Sequence, residues 1–72
     1  MEGERRLAAP VYRSALDEGW WETATVEQAA HVYSVAGRFA RLDPEAARAV
    51  VECERQAKLR WSIDLAQPSQ PL

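Results

Sequence analysis

The chain has 72 residues, 47% of them hydrophobic and 28% charged, with a formal net charge of −2. This is the composition of one small globular domain, marginal in stability unless a disulfide, a metal or a partner chain supports it. One cysteine and one histidine exclude an internal disulfide and a four-ligand Cys/His zinc cage, and the acidic balance disfavours a generic nucleic-acid binder.

Residues 1–66 read as a single helical domain and 67–72 as a tail. Residues 1–36 carry three basic and six acidic side chains, and 37–72 carry six basic and five acidic; the asymmetry is slight. No apolar run reaches the roughly 18 residues of a membrane span. The stretch MEGERRLAAP has two arginines with no apolar segment behind them, so no signal peptide is expected. With a free cysteine, this points to the cytoplasm.

Residues 2–9 are expected to form a fraying turn or to stay irregular. Proline is tolerated in the first turn of a helix, because the amide it lacks would be unpaired there. The first predicted helix therefore begins near Pro10 and ends at Glu18, with Gly19 just past its end. Val11 with Ala15, and Tyr12 with Leu16, supply its i,i+4 apolar pairs. Asp17 and Glu18 would then sit in the last turn, where the helix dipole disfavours negative charge, and both read as solvated.

The second predicted helix starts at a capping box, Thr25 with Gln28 three residues on, and runs to about Leu42. Its polar residues Glu27, His31, Ser34, Arg38 and Arg41 share one narrow face. Most of the remaining circumference is apolar, more than the stripe of an edge helix requires. It is therefore expected to touch neighbours on two sides and to contribute to an oligomer interface.

The third predicted helix has the firmest start: Asp43 as N-cap, Pro44 at the first position and Glu45 in the first turn. It continues to Arg60 or as far as Ala66. Ala46, Ala49, Val50, Cys53, Ala57 and Trp61 form its buried stripe, while Glu54–Lys58 and Arg48–Glu52 read as surface pairs. The short link at Asp43 makes the second and third helices an antiparallel hairpin. RWSIDLA alternates with period two at Trp61, Ile63 and Leu65, leaving strand and helix both open there. The tail QPSQPL, with two prolines and no periodicity, is expected to be disordered.

Trp20 and Trp21 adjoin in DEGWWE, and adjacent side chains point different ways. One ring is expected in the core, with Trp21 the favoured candidate, and the other on the surface. Tryptophan is a common hot-spot residue. At a rise of roughly 1.5 Å per residue the third helix outruns the first by about 20 Å, which exposes Trp61. The candidate partner-binding residues are therefore Trp20, Trp21, Trp61, Ile63 and Leu65.

Chemistry-bearing patterns are sparse. Glu27 and His31 stand one turn apart, as two metal ligands would, but no third ligand follows. Cys53 lies on an apolar stripe, where it acts as a small hydrophobe. No glycine-rich phosphate loop exists among Gly3, Gly19 and Gly37. The chain is therefore expected to be no enzyme and to need no cofactor. Arg38, Arg41 and Arg48 flank the link between the last two helices and are candidate phosphate contacts. The tight link and the alternation of Glu with Arg argue against a nucleic-acid reader.

SALDEG, Ser14 to Gly19, resembles the Ser/Thr-x-x-x-Glu-Gly/Asn pattern of the inhibitory helix in antitoxins of Fic-type AMP-transferring toxins. The resemblance implies that Ser14, Glu18 and Gly19 form an inhibitory motif, with the glutamate pairing to an arginine in the toxin's nucleotide site. The residues as a whole point to an all-α bundle, a helix hairpin with a short N-terminal helix, that binds another protein chain or itself. An adaptor, an inhibitor or an assembly subunit fits, with a nucleic-acid-binding regulator and the Fic-type antitoxin as alternatives.

Overall fold

The structure, a computed structural model, describes residues 2–66. It is all-α: helix α1 (Glu2–Arg13), a 3₁₀ turn (Ser14–Leu16), a short α2 (Glu18–Trp21), α3 (Val26–Phe39) and α4 (Pro44–Trp61). No strand occurs among the described residues. The tail expected at 67–72 lies outside them.

The N-terminal helix differs from the expectation. It starts at Glu2 and carries Pro10 in its interior. The preceding Glu, Arg, Leu and Ala residues are good helix formers. The proline removes the hydrogen bond to the Arg6 carbonyl and crowds that carbonyl with its ring. Burial of Ala9 and Tyr12 rewards the extra turns. The helix stops one turn past the proline, where the Ser14 hydroxyl donates to the Pro10 carbonyl at 3.1 Å.

Asp17 and Glu18 open a helix rather than close one. Asp17 is extended (φ −103, ψ 115) and caps α2, its carboxylate accepting the Gly19 amide at 3.0 Å. The expected clash with the helix dipole therefore reverses sign, since acidic groups are favoured at an N-terminus. Gly19 lies inside α2, with no left-handed conformation.

Helix α3 begins with both hydrogen bonds of the Thr25–Gln28 capping box. It ends at Phe39, three residues short of the expected Leu42. Asp43 must be extended (φ −135, ψ 116) to cap α4, so the chain leaves the helix early. The amides of Leu42 and Asp43 both return to the Phe39 carbonyl. The Asp43 carboxylate accepts the Glu45 amide at 3.0 Å, and Pro44 follows at the first helical position.

At the other end of α4, Ser62 is left-handed (φ 57). Its amide donates to the Lys58 carbonyl, the bond of a left-handed helix cap, and that of Ile63 to Ala57. The segment after Trp61 is therefore neither strand nor helix. Leu65 comes back to pack against the core.

Helices α3 and α4 pack closely on each other, and α1 lies against both. Alanines at 29, 36, 46, 49 and 57 allow the close approach. Tyr12, Trp21 and Phe39 fill the remaining space with Val32 and Cys53. Gln56, absent from the expected stripe, is also buried. Its amide bridges the Glu52 carboxylate and the Arg60 guanidinium, at 2.8 Å each. The expected surface pairs re-sort: Glu52 pairs with Arg55, Glu54 accepts the Tyr33 hydroxyl at 2.7 Å, and Lys58 faces Asp64 at 3.9 Å.

Candidate functional site

Three tryptophans meet at one end of the bundle. Trp21 is 1% exposed, and its indole N–H donates to the Ala15 carbonyl at 2.8 Å. That bond spans the break between α1 and α2 and pins the short helix to the core. The Trp20 ring stands edge-on to Trp21 at 4.9 Å, and the Trp61 ring lies tilted against it at 6.2 Å.

As a partner-binding candidate Trp21 is corrected: its ring is core and can only support a surface. Trp20, Trp61, Ile63 and Leu65 are half-buried. The expectation that the end of α4 is uncovered is corrected too, since Trp61 there lies against the Trp21 ring.

Trp20 also lines an open hollow of about 540 Å³ between α1 and α3, with Pro10, Val11, Ser14, Gln28 and Val32. A second hollow of about 250 Å³ lies further along the same seam, lined by Leu7, Ala8, Val11, Val35 and Phe39. Val11 borders both hollows, which follow one another along the α1–α3 seam as a shallow trough. Residues 4–11 face 35–39 and residues 10–14 face 27–32, so α1 runs antiparallel to α3. The second hollow was hidden from the sequence by the late helix start. Leu7 and Val11, at i,i+4, carry its signal once α1 begins at Glu2.

Charged groups rim the trough. Glu27 and His31 stand at the Trp20 end, Glu4 and Arg38 at the other. The Arg38 guanidinium lies 5.9 Å from the Phe39 ring centre. The Glu27–His31 pair expected as a possible metal half-site opens on this trough. Among the described residues no group of three His, Cys, Asp or Glu is placed to hold a metal.

Glu18 faces the other side of α2. It lines a separate groove on α4 with Leu16, Arg48, Val51, Glu52 and Arg55. The side chain is exposed and has no hydrogen bond or ion pair with a described residue. The weak field of its charge is felt by Arg55. Ser14, in the 3₁₀ turn, and Glu18, in α2, flank the extended Asp17. The six-residue motif is therefore not the single helix that the resemblance implies; the cap preference of Asp17 divides it.

The candidate phosphate contacts do not gather. Arg38 opens on the α1–α3 trough and Arg48 on the groove beside Glu18 and Glu52, while Arg41 is exposed in the turn between α3 and α4.

A polar clamp ties α1 to the start of α4. The buried Tyr12 hydroxyl donates to the Asp43 carboxylate. Arg5 stands 3.6 Å from the same oxygen, and Arg13 meets Glu45 at 2.7 Å. The Tyr12 hydrogen bond, helped by the Glu45 amide and the arginines, holds the Asp43 carboxyl below its ordinary range. Burial, and then Asp43 itself, pushes the Tyr12 hydroxyl up. Burial also raises the Cys53 thiol to about 12, with Glu52 and Glu54 adding to it. A buried neutral thiol is inert as a nucleophile.

No helix among the described residues is long and apolar enough to cross a membrane. Compared with known proteins, the chain matches no family model, no curated protein and no solved structure.

Proposed function

We propose that this chain is a non-enzymatic, regulatory protein-binding module of the cytoplasm, acting as an adaptor, inhibitor or assembly subunit. The observation that carries the reading is the mounting of α2. Trp21 locks it to the core, and Trp20 is left half-exposed over an open apolar trough. A rigidly held aromatic ring beside a hollow is the usual form of a binding hot spot. Burial of the Cys53 thiol rules it out as a nucleophile, and the scatter of Arg38, Arg41 and Arg48 counts against the nucleic-acid alternative. The test is co-purification of the full chain from its native host, comparing wild type with Trp20→Ala. The variant is expected to lose the associated protein while keeping its helicity. Retention of the same protein by Trp20→Ala would sink this reading.

One observation favours the inhibitor form. Glu18 offers a carboxylate with no ion pair among the described residues, on a helix fixed by its neighbours Asp17 and Trp21. In the Fic-type reading that carboxylate meets an arginine of the toxin. AMP transfer by a purified Fic-type toxin, with and without the chain, tests this. Inhibition lost in Glu18→Gln is expected, and unchanged AMP transfer in the presence of the wild-type chain rejects the antitoxin form.

A further inference from the structure

We propose that the first half of α1, residues 2–8, is an arm that opens on its own from the bundle, hinged at Pro10, and in opening bares Val35 and Phe39 of α3. The backbone marks the hinge. Each amide of an α-helix bonds four residues back, so Arg6, Leu7, Ala8 and Ala9 close onto the carbonyls of residues 2–5. Position 10 is proline, which has no amide to donate and crowds the Arg6 carbonyl. An opening that starts at the beginning of α1 therefore reaches a position where no hydrogen bond has to be broken.

The anchors lie on the far side of that position. Tyr12 and Ala15 are buried, the Tyr12 hydroxyl donates to Asp43, and Arg13 meets Glu45. Ahead of Pro10, among the described residues, only Ala9 is buried; Gly3, Glu4, Arg6 and Leu7 are exposed and Arg5 and Ala8 half-buried. Arg5 reaches Asp43 at 3.6 Å with its own side chain more than a third exposed, and partly solvated ion pairs hold weakly. Gly3 lowers the helix propensity of the arm further. So short a helix does not persist without packing, and a segment with few buried contacts opens well below the free energy of global unfolding.

The arm is one wall of the second hollow, where Glu4, Leu7 and Ala8 face Val35, Arg38 and Phe39. Phe39 is buried and keeps the Tyr12 ring at 6.1 Å on the anchored side of Pro10. When the arm opens, the hollow loses that wall, and Val35 and Phe39 become the floor of a wider apolar seat on α3. The closed arm is then a lid over that seat.

The test is residue-resolved amide hydrogen exchange of the full chain, read by nuclear magnetic resonance. The amides of Arg6, Leu7, Ala8 and Ala9 are expected to be protected at least about tenfold less than those of Ala49, Cys53 and Ala57 in α4. Urea below the unfolding transition should lower protection in α4 and leave the arm unchanged, because opening the arm exposes little surface. Trp21→Phe, which weakens the core by removing the indole donor, should do the same. Gly3→Ala meets nothing within 4 Å and should raise protection of the four arm amides about two- to fourfold. Pro10→Ala, which restores an amide to the Arg6 carbonyl, should raise it as well. Arm amides as protected as those of α4, or falling with them in urea and in Trp21→Phe, overturn the inference. So does an arm indifferent to Gly3→Ala or to Pro10→Ala.

Discussion

Replacing Trp21 by alanine should nearly unfold the protein, while the same change at Trp20 should not. Trp21 is 1% exposed, and its ring lies against both Trp20 and Trp61. Emptying such a site costs about 3–5 kcal/mol. The Ala15 carbonyl also loses the indole donor, and an unsatisfied buried acceptor adds about 1–3 kcal/mol. Against this, a chain of 72 residues has about 4–11 kcal/mol of total stability at the usual value per residue. Trp21→Ala therefore removes about a third of the whole at the least, and up to all of it. Trp20 is half-buried and makes no hydrogen bond through its indole with a described residue. Its loss should cost about 1 kcal/mol, a melting shift of about 4–8 °C in a domain of this size. Trp21→Phe separates the two contributions, since it keeps an aromatic ring but not the N–H. It should fall between the other two. Thermal and urea unfolding followed by far-ultraviolet circular dichroism measure all three. Equal losses at Trp20 and Trp21 would refute the picture of α2 as a helix anchored by one ring and displaying the other.

Tyr12→Phe removes the hydroxyl donor from Asp43 and should destabilise the fold by about 1.5–3 kcal/mol, as for a hydrogen bond to a charged group. Because the folded Asp43 carboxyl is held below its ordinary 3.8, its contribution is full above that value and disappears as pH falls through the lower folded value. Melting against pH should thus fall in acid below about pH 4, and Tyr12→Phe should show a smaller fall; an identical acid profile would contradict the clamp. At the alkaline end the sign reverses. Cys53 is raised from 9.0 and Tyr33 from 10.0, each to about 12, so the neutral forms belong to the folded state. Stability should be intact below pH 9 and should decline as pH rises toward 12, by about 1.4 kcal/mol per pH unit per group. Cys53→Ala should delay the onset by about one pH unit, which an alkaline melting series measures. In the native protein at neutral pH, Cys53 should react with thiol reagents only as fast as the bundle opens; prompt stoichiometric labelling would show that the thiol is accessible.

What could be read in advance was local chemistry. Thr25 with Gln28, and Asp43 with Pro44, act through atoms two or three residues apart, so the starts of α3 and α4 follow from short stretches alone. The stripe from Ala46 to Trp61 was legible because a helix repeats its faces regularly. Gln56 escaped it because burial of an amide depends on Glu52 and Arg60 being free to satisfy it. The N-terminal third was misread for a related reason. Proline forbids one hydrogen bond but does not forbid a helix. Whether α1 runs through Pro10 is decided by Tyr12 meeting Phe39 and Asp43, 27 and 31 positions away. Asp17 is similar: its side chain serves either as an exposed charge closing one helix or as the cap opening the next, and Trp21 determines which by reaching back to Ala15.

The candidate site inherits that division. Trp20 and Trp21 announce themselves in the sequence, yet the hollow beside Trp20 needs Pro10, Val11 and Ser14 laid against α3, and its continuation past Leu7 needs α1 to extend back before Pro10. A surface assembled from two helices in this way has no signature in either helix alone. The Asp43 side chain shows the same logic from inside the fold. As a cap it answers to Glu45, two residues on, and as the acceptor of Tyr12 it answers to a helix 31 positions away. Local chemistry fixes where α4 begins, and the long-range bond fixes where α1 lies against it. The orientation of α1, and with it the trough, therefore depends on a carboxylate whose sequence signature speaks only of a helix start.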